Sequence, residues 1–153
     1  PKVLEADYGI AQSLHAQGKG DDAMPLLGGI IRAQNATAEL RADAFLLYGQ
    51  ITKDKLPGAQ TDEERKDILG AAIDYYLKIP QFYSGVAEAA AEGLWQGGQL
   101  VEMQLPLLTE ETTPQRSKQL EVARNAYRQL VEEFGDSPHA GPAKERLGAL
   151  PQQ

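Results

Sequence analysis

The side chains whose types could carry catalysis or hold a metal are few: two histidines, His15 and His139, and a carboxylate pair, Glu88 and Glu92. Glu88 and Glu92 lie one helical turn apart and could act as an acid/base pair or as metal ligands. The same spacing is common on solvated helix faces, and no histidine lies near them in sequence. Neither histidine stands in a two-histidine helical metal motif. His15, close to a helix end, is expected to interact with the terminal carbonyls. Gly18, Lys19 and Gly20 suggest a phosphate loop, but the preceding glycine spacing and the following Ser or Thr are absent, so they read as a turn. Glu110, Glu111, Glu132 and Glu133 read as solvated charge. With no cysteine, a disulfide framework, a thiolate zinc site and a thiol nucleophile are excluded, although no compartment is thereby chosen. The expectation is a chain that is not an enzyme and carries neither cofactor nor metal. Trp95, followed by Gln96, Gly97, Gly98 and Gln99, is the residue of greatest interest. A large aromatic beside small residues either anchors a partner chain or packs into the core.

The elements that position these residues come from a chain of one-domain length. At 153 residues it buries roughly 70% of its unfolded surface and needs no staples. A composition of 42% hydrophobic and 24% charged residues is that of an ordinary soluble domain. The formal charge of −7, from 22 acidic and 15 basic residues, opposes a nucleic-acid partner or an anionic membrane. No apolar run approaches the roughly 20 residues of a membrane helix. The chain begins at Pro1 rather than methionine, from which processing or excision from a longer protein is expected, with any signal peptide or lipid anchor out of view.

Helical periodicity dominates. Leu120, Ala123, Tyr127, Leu130, Val131 and Phe134 recur at spacings of three and four, with Glu121, Asn125, Arg128 and Glu132 opposite. Helices are expected over about 3–17, from Asp21 or Asp22 onward, 37–53, 63–79, 84–103, through 134, and 142–150. Pro25 is expected in the first turn of the second helix, where a missing N–H costs least. Asp62 is expected to cap the fourth helix and Pro80 to end it. Gly28 and Gly29 are expected to permit close packing. The connections from Lys55 to Asp62 and from Leu105 to Gln115 read as long loops. Leu105, Leu107 and Leu108 are expected to fold back over helix ends while Glu110 to Thr113 stays solvated.

One signature recurs in three helices: Ala23, Leu27, Ile30; Ala72, Tyr76, Ile79; Ala123, Tyr127, Leu130, with copies 49 and then 51 residues apart. The alanine keeps two crossing helices close. Ile10, Ala11 and Leu14 in one preceding helix, and Phe45, Tyr48 and Gly49 in the next, complete the pattern. The chain thereby resembles the tetratricopeptide repeat family, in particular divergent units of bacterial cell-envelope proteins. Asn35 stands where the family usually has a proline, Ala72 follows Gly49 about 11 residues late, and the helix around Gly93, Trp95 and Gly97 has no unique register.

The resemblance implies an all-α single domain, a right-handed superhelical stack of about three helical hairpins (about 3–35, 37–80 and 84–135) with a short terminal helix at about 142–150. It implies binding of a protein or peptide in a concave groove lined by Tyr8, Gln12, His15, Leu46, Gln50, Lys53, Trp95 and Gln99. It does not imply a chaperone-tail carboxylate clamp, because Tyr8 and Gln12 replace the basic and asparagine residues such a clamp needs. It implies a bacterial periplasmic or envelope location, with the cytoplasm as the alternative. A structural spacer or self-associating domain of a larger protein is the second reading, and an enzyme of unrecognised type the third.

Overall fold

The computed structural model describes residues 2–109 and 113–151. Among them the chain is all-helical: α1 (Lys2–Ala16), α2 (Gly20–Arg32), α3 (Ala38–Lys53), α4 (Asp62–Phe82), α5 (Ala87–Gln104), α6 (Thr113–Glu133) and α7 (Ala140–Ala149). Short 3-10 turns sit at Leu56–Gly58 and Leu105–Leu107. No described helix is long and apolar enough to cross a membrane.

Local chemistry sets most of these ends. Gly18, at φ +76°, ends α1 with the left-handed residue that closes a Schellman motif. The Lys19 N–H donates to the Leu14 carbonyl at 2.8 Å and the Gly18 N–H to His15 at 3.0 Å. Thr37 and Thr61 cap α3 and α4, each hydroxyl oxygen accepting from the backbone N–H three residues on. The cap of α4 is therefore Thr61 rather than Asp62, which joins Glu63 and Glu64 as negative charge in the first turn.

Both prolines expected at helix ends lie inside. Pro25 falls in the second turn of α2, on its exposed side, where water can reach the backbone its ring disturbs. Pro80 is buried in α4, which continues to Phe82. The segment expected as a loop from Leu105 to Gln115 is also shorter: Leu105–Leu107 continue α5 as a 3-10 turn and α6 begins at Thr113. Leu105 and Leu108 are buried and Leu107 packs against the same core. The expectation for residues 110–112, and for the side chain of Thr113, lies outside the described residues.

Each helix packs on the next, and α1 also meets α3 as α3 meets α5. The apolar core follows the chain in three clusters. Ala11, Leu27 and Ile51 belong to the first, Phe45, Ile79 and Ala90 to the second, and Leu69, Tyr76, Leu94, Tyr127 and Leu150 to the third and largest. All nine residues of the recurring signature are buried, none more than 2% exposed.

Two close approaches fix how the recurring units correspond. A Cβ on Gly49 of α3 would lie 2.7 Å from the ring of Tyr76 on α4, and a Cβ on Gly98 of α5 would lie 2.6 Å from the ring of Tyr127 on α6. Gly49 and Gly98 are thus equivalent, and Ala11, buried against Leu27, holds their place in α1. This register settles the helix that sequence alone leaves floating. The extra residues between Gly49 and Ala72 also find their place. Much of that length is helix, since α4 and α6 each have 21 residues against 13 in α2.

Candidate interaction groove

With Ala11, Gly49 and Gly98 aligned, the residues on one face of α1, α3 and α5 fall into columns. Three positions earlier stand Tyr8, Leu46 and Trp95; one later stand Gln12, Gln50 and Gln99; four later stand His15, Lys53 and Glu102. Six earlier stand three acids, Glu5, Asp43 and Glu92. The spacing of −6, −3, +1 and +4 is one helical stripe.

Neighbouring columns touch. The Tyr8 hydroxyl is pushed above its usual pKa by burial and then by the Asp43 carboxylate across from it, while a hydrogen bond with Gln12 acts the other way. Asp43 is itself held above the usual carboxylate range by burial, then by Glu88 and Glu39. A cleft of about 560 Å³ lies here, with Leu46, Val86, Ala89 and Pro138 as apolar lining and Glu39, Asp43, Glu88, Glu92 and His139 as ionisable lining. Further along, a cleft of about 370 Å³ is lined by Lys53, Gln96, Gln99, Leu100, Glu102, Met103 and Arg146.

Hydrogen bonds tie the helices together across this face. His15 Nε2 and Gln50 Nε2 each reach the Asp54 carboxylate, at 2.7 Å. His15 therefore reaches across to α3's C-terminal end instead of back to its own helix carbonyls. Lys53 Nζ donates to Gln96 Oε1 at 3.1 Å, and Gln96 Nε2 donates to Glu92 Oε1 at 2.9 Å. The other Glu92 oxygen meets His139 Nε2. Glu102 accepts from the Tyr127 hydroxyl at 2.5 Å and from Arg146 Nε at 3.1 Å.

Of the residues expected in the groove, Leu46 lines the first cleft and Lys53 and Gln99 line the second. Gln12 and Gln99 are exposed, while Tyr8, His15, Leu46, Gln50, Lys53 and Trp95 are partly buried. Trp95 is both packed and accessible. Its ring stacks on His139, with centroids 5.6 Å apart and an 11° angle, and tilts against Tyr127 at 5.9 Å.

Sequence reasoning missed Asp43, Glu39 and Arg146, and it weighed His139 without placing it on this face. The acidic column was readable in principle, but only after Gly49 and Gly98 are known to be equivalent. His139 carries no local signal, because its partner Glu92 is 47 residues away. Glu92 thus has a histidine beside it in space though none in sequence. Among the described residues, no group of three or more His, Cys, Asp or Glu side chains is placed to hold a metal ion. No family model, curated protein or solved structure matches the chain.

Proposed function

We propose that the chain is a protein-interaction module, a right-handed superhelical stack of about three tetratricopeptide-like hairpins that takes a peptide or protein segment along the shared face of α1, α3 and α5. One observation carries this reading. A large side chain followed four residues later by glutamine recurs in register on three neighbouring helices, as Tyr8 and Gln12, Leu46 and Gln50, Trp95 and Gln99. Such columns suit an extended chain, because the glutamines offer donors and acceptors to its backbone while the larger residues receive its side chains. Core packing accounts for part of each larger side chain but not for the glutamines at 12 and 99, which are exposed.

The test is replacement of Tyr8 and Gln50 by alanine, followed by measurement of co-purification and helicity. Loss of the co-purifying protein with unchanged helicity supports the groove. Binding retained in both variants sinks it.

A further inference from the structure

Among the described residues four large hydrophobic side chains are conspicuously exposed, and two of them, Val3 at 72% and Ile10 at 50%, share one stripe of α1. With Ala6 and Ser13, which are also exposed, they occupy positions −8, −5, −1 and +2 from Ala11. The equivalent residues on α3 are Arg41, Ala44, Tyr48 and Ile51, and on α5 they are Ala90, Gly93, Gly97 and Leu100.

Both equivalent stripes are covered by the helix that precedes them. On α3, the Arg41 guanidinium donates to the Ala33 carbonyl at the end of α2, the Tyr48 hydroxyl donates to the Met24 carbonyl of α2, and Ile51 sits against Gly20. On α5, Gly93 lies against the Tyr76 carbonyl and Ile79 of α4, and Gly97 against Leu77. On α1 none of the described residues fills that place: a Cβ on the neighbouring Gly9 would meet no atom within 4 Å.

We propose that a helical hairpin of the same repeat type, preceding α1 in the same polypeptide, lays its second helix over Val3, Ala6, Ile10 and Ser13. The inference rests on the repeat register and not on the groove. A second copy of this chain is the poorer occupant, because the covering faces of α2, α4 and α6 are already taken by α3, α5 and α7. The stripe is also small. Two aliphatic side chains fall well short of the roughly 800 Å² per partner of a stable interface between separate chains, whereas a tethered hairpin docks at an effective concentration on the order of millimolar. α7 carries no such stripe: none of the large exposed hydrophobics lies on it, and it shows Lys144, Glu145 and Arg146 to solvent.

The absence of cysteine makes the test direct. Ser13→Cys and, as an exposed control in the turn between α4 and α5, Ser84→Cys are each introduced into residues 1–153 and into the longest polypeptide the gene encodes. Labelling rates with a maleimide are then compared. The two thiols should react at similar rates in residues 1–153. In the longest polypeptide, Cys at 13 should react at least about tenfold more slowly than Cys at 84, independent of dilution, with Ile10→Lys restoring the rate. Ala6→Cys repeats the measurement if Ser13→Cys perturbs the fold. Equal rates in the longest polypeptide overturn the proposal. So does protection that disappears on dilution, which marks a second copy, or protection that needs an added protein.

Discussion

Gly93→Ala should destabilise the protein although alanine is the better helix former. Pro80 has no N–H to give the Tyr76 carbonyl, and α5 presses Gly93 against that same oxygen. A Cβ there would lie 2.5 Å from the Tyr76 oxygen and 3.4 Å from two Ile79 side-chain atoms. The obstacle is backbone, so no rotamer change relieves it; α4 and α5 must separate by about 1 Å to restore ordinary contact. Overpacking of this kind costs about 1–3 kcal/mol, and more where backbone must move, against a helix-propensity gain of about 1 kcal/mol. A net loss of up to about 2 kcal/mol follows, or up to about 4–8 °C in Tm for a domain of this size. Gly29→Ala is the control, since a Cβ on Gly29 meets nothing within 4 Å. That variant should gain up to about 1 kcal/mol. Urea denaturation followed by circular dichroism measures both. Equal stability changes in the two variants would refute the argument that α4 and α5 are held together through Gly93.

Thr61→Ala should cost about 1 kcal/mol by removing the cap of α4, and Thr61→Ser should restore most of it in the same denaturation assay. The buried phenols of Tyr76 and Tyr127 are both held far above the usual tyrosine pKa, first by burial, then by Glu92 for Tyr76 and by the Glu102 hydrogen bond for Tyr127. The unfolded chain therefore releases protons above about pH 10 that the folded chain retains, so stability should fall as pH rises through that range, by up to about 1.4 kcal/mol per pH unit for each group. Absorbance titration should show both phenols ionising only on unfolding; ionisation with intact helicity would contradict this. Asp43 has the same sign at the acidic end. Its raised pKa penalises the folded state at neutral pH and the penalty fades as pH falls through that pKa, so Asp43→Asn should stabilise the protein at neutral pH and have no such effect at a pH where the carboxyl is protonated in both states. An equal effect at both pH values would mean that charge is not the cause.

The helices were readable because their buried stripes are strict. Leu120, Ala123, Tyr127 and Leu130 are picked out by spacing alone, and all four are buried. What escaped was decided by tertiary contact. Pro80 looks like a stop, yet α4 runs past it to Phe82, where packing outweighs a local preference. Gly28 and Gly29 look alike in sequence, but only Gly28 meets a neighbour, the Tyr48 hydroxyl, while Gly29 faces open space. Trp95 and Gln99 were singled out without a register to justify them, because the glycine that sets the register, Gly98, is recognisable only by the Tyr127 ring against it. The uncharged residues of the proposed groove could thus be named only one helix at a time. The side-chain pairs that flank it could not, since His139 with Glu92 and Arg146 with Glu102 join residues more than 40 apart.

Site-specific photo-cross-linking tests the interaction groove most directly. A photoreactive side chain is placed at Gln50 or Gln99 on the groove face, and at Asp74 or Arg128 on exposed positions of α4 and α6, in the host cell. The account predicts one discrete adduct of the same partner from both glutamine positions, lost when Leu46→Ala is added, and none from Asp74 or Arg128. Adducts of equal yield from α4 and α6, or none from either groove position, would contradict it.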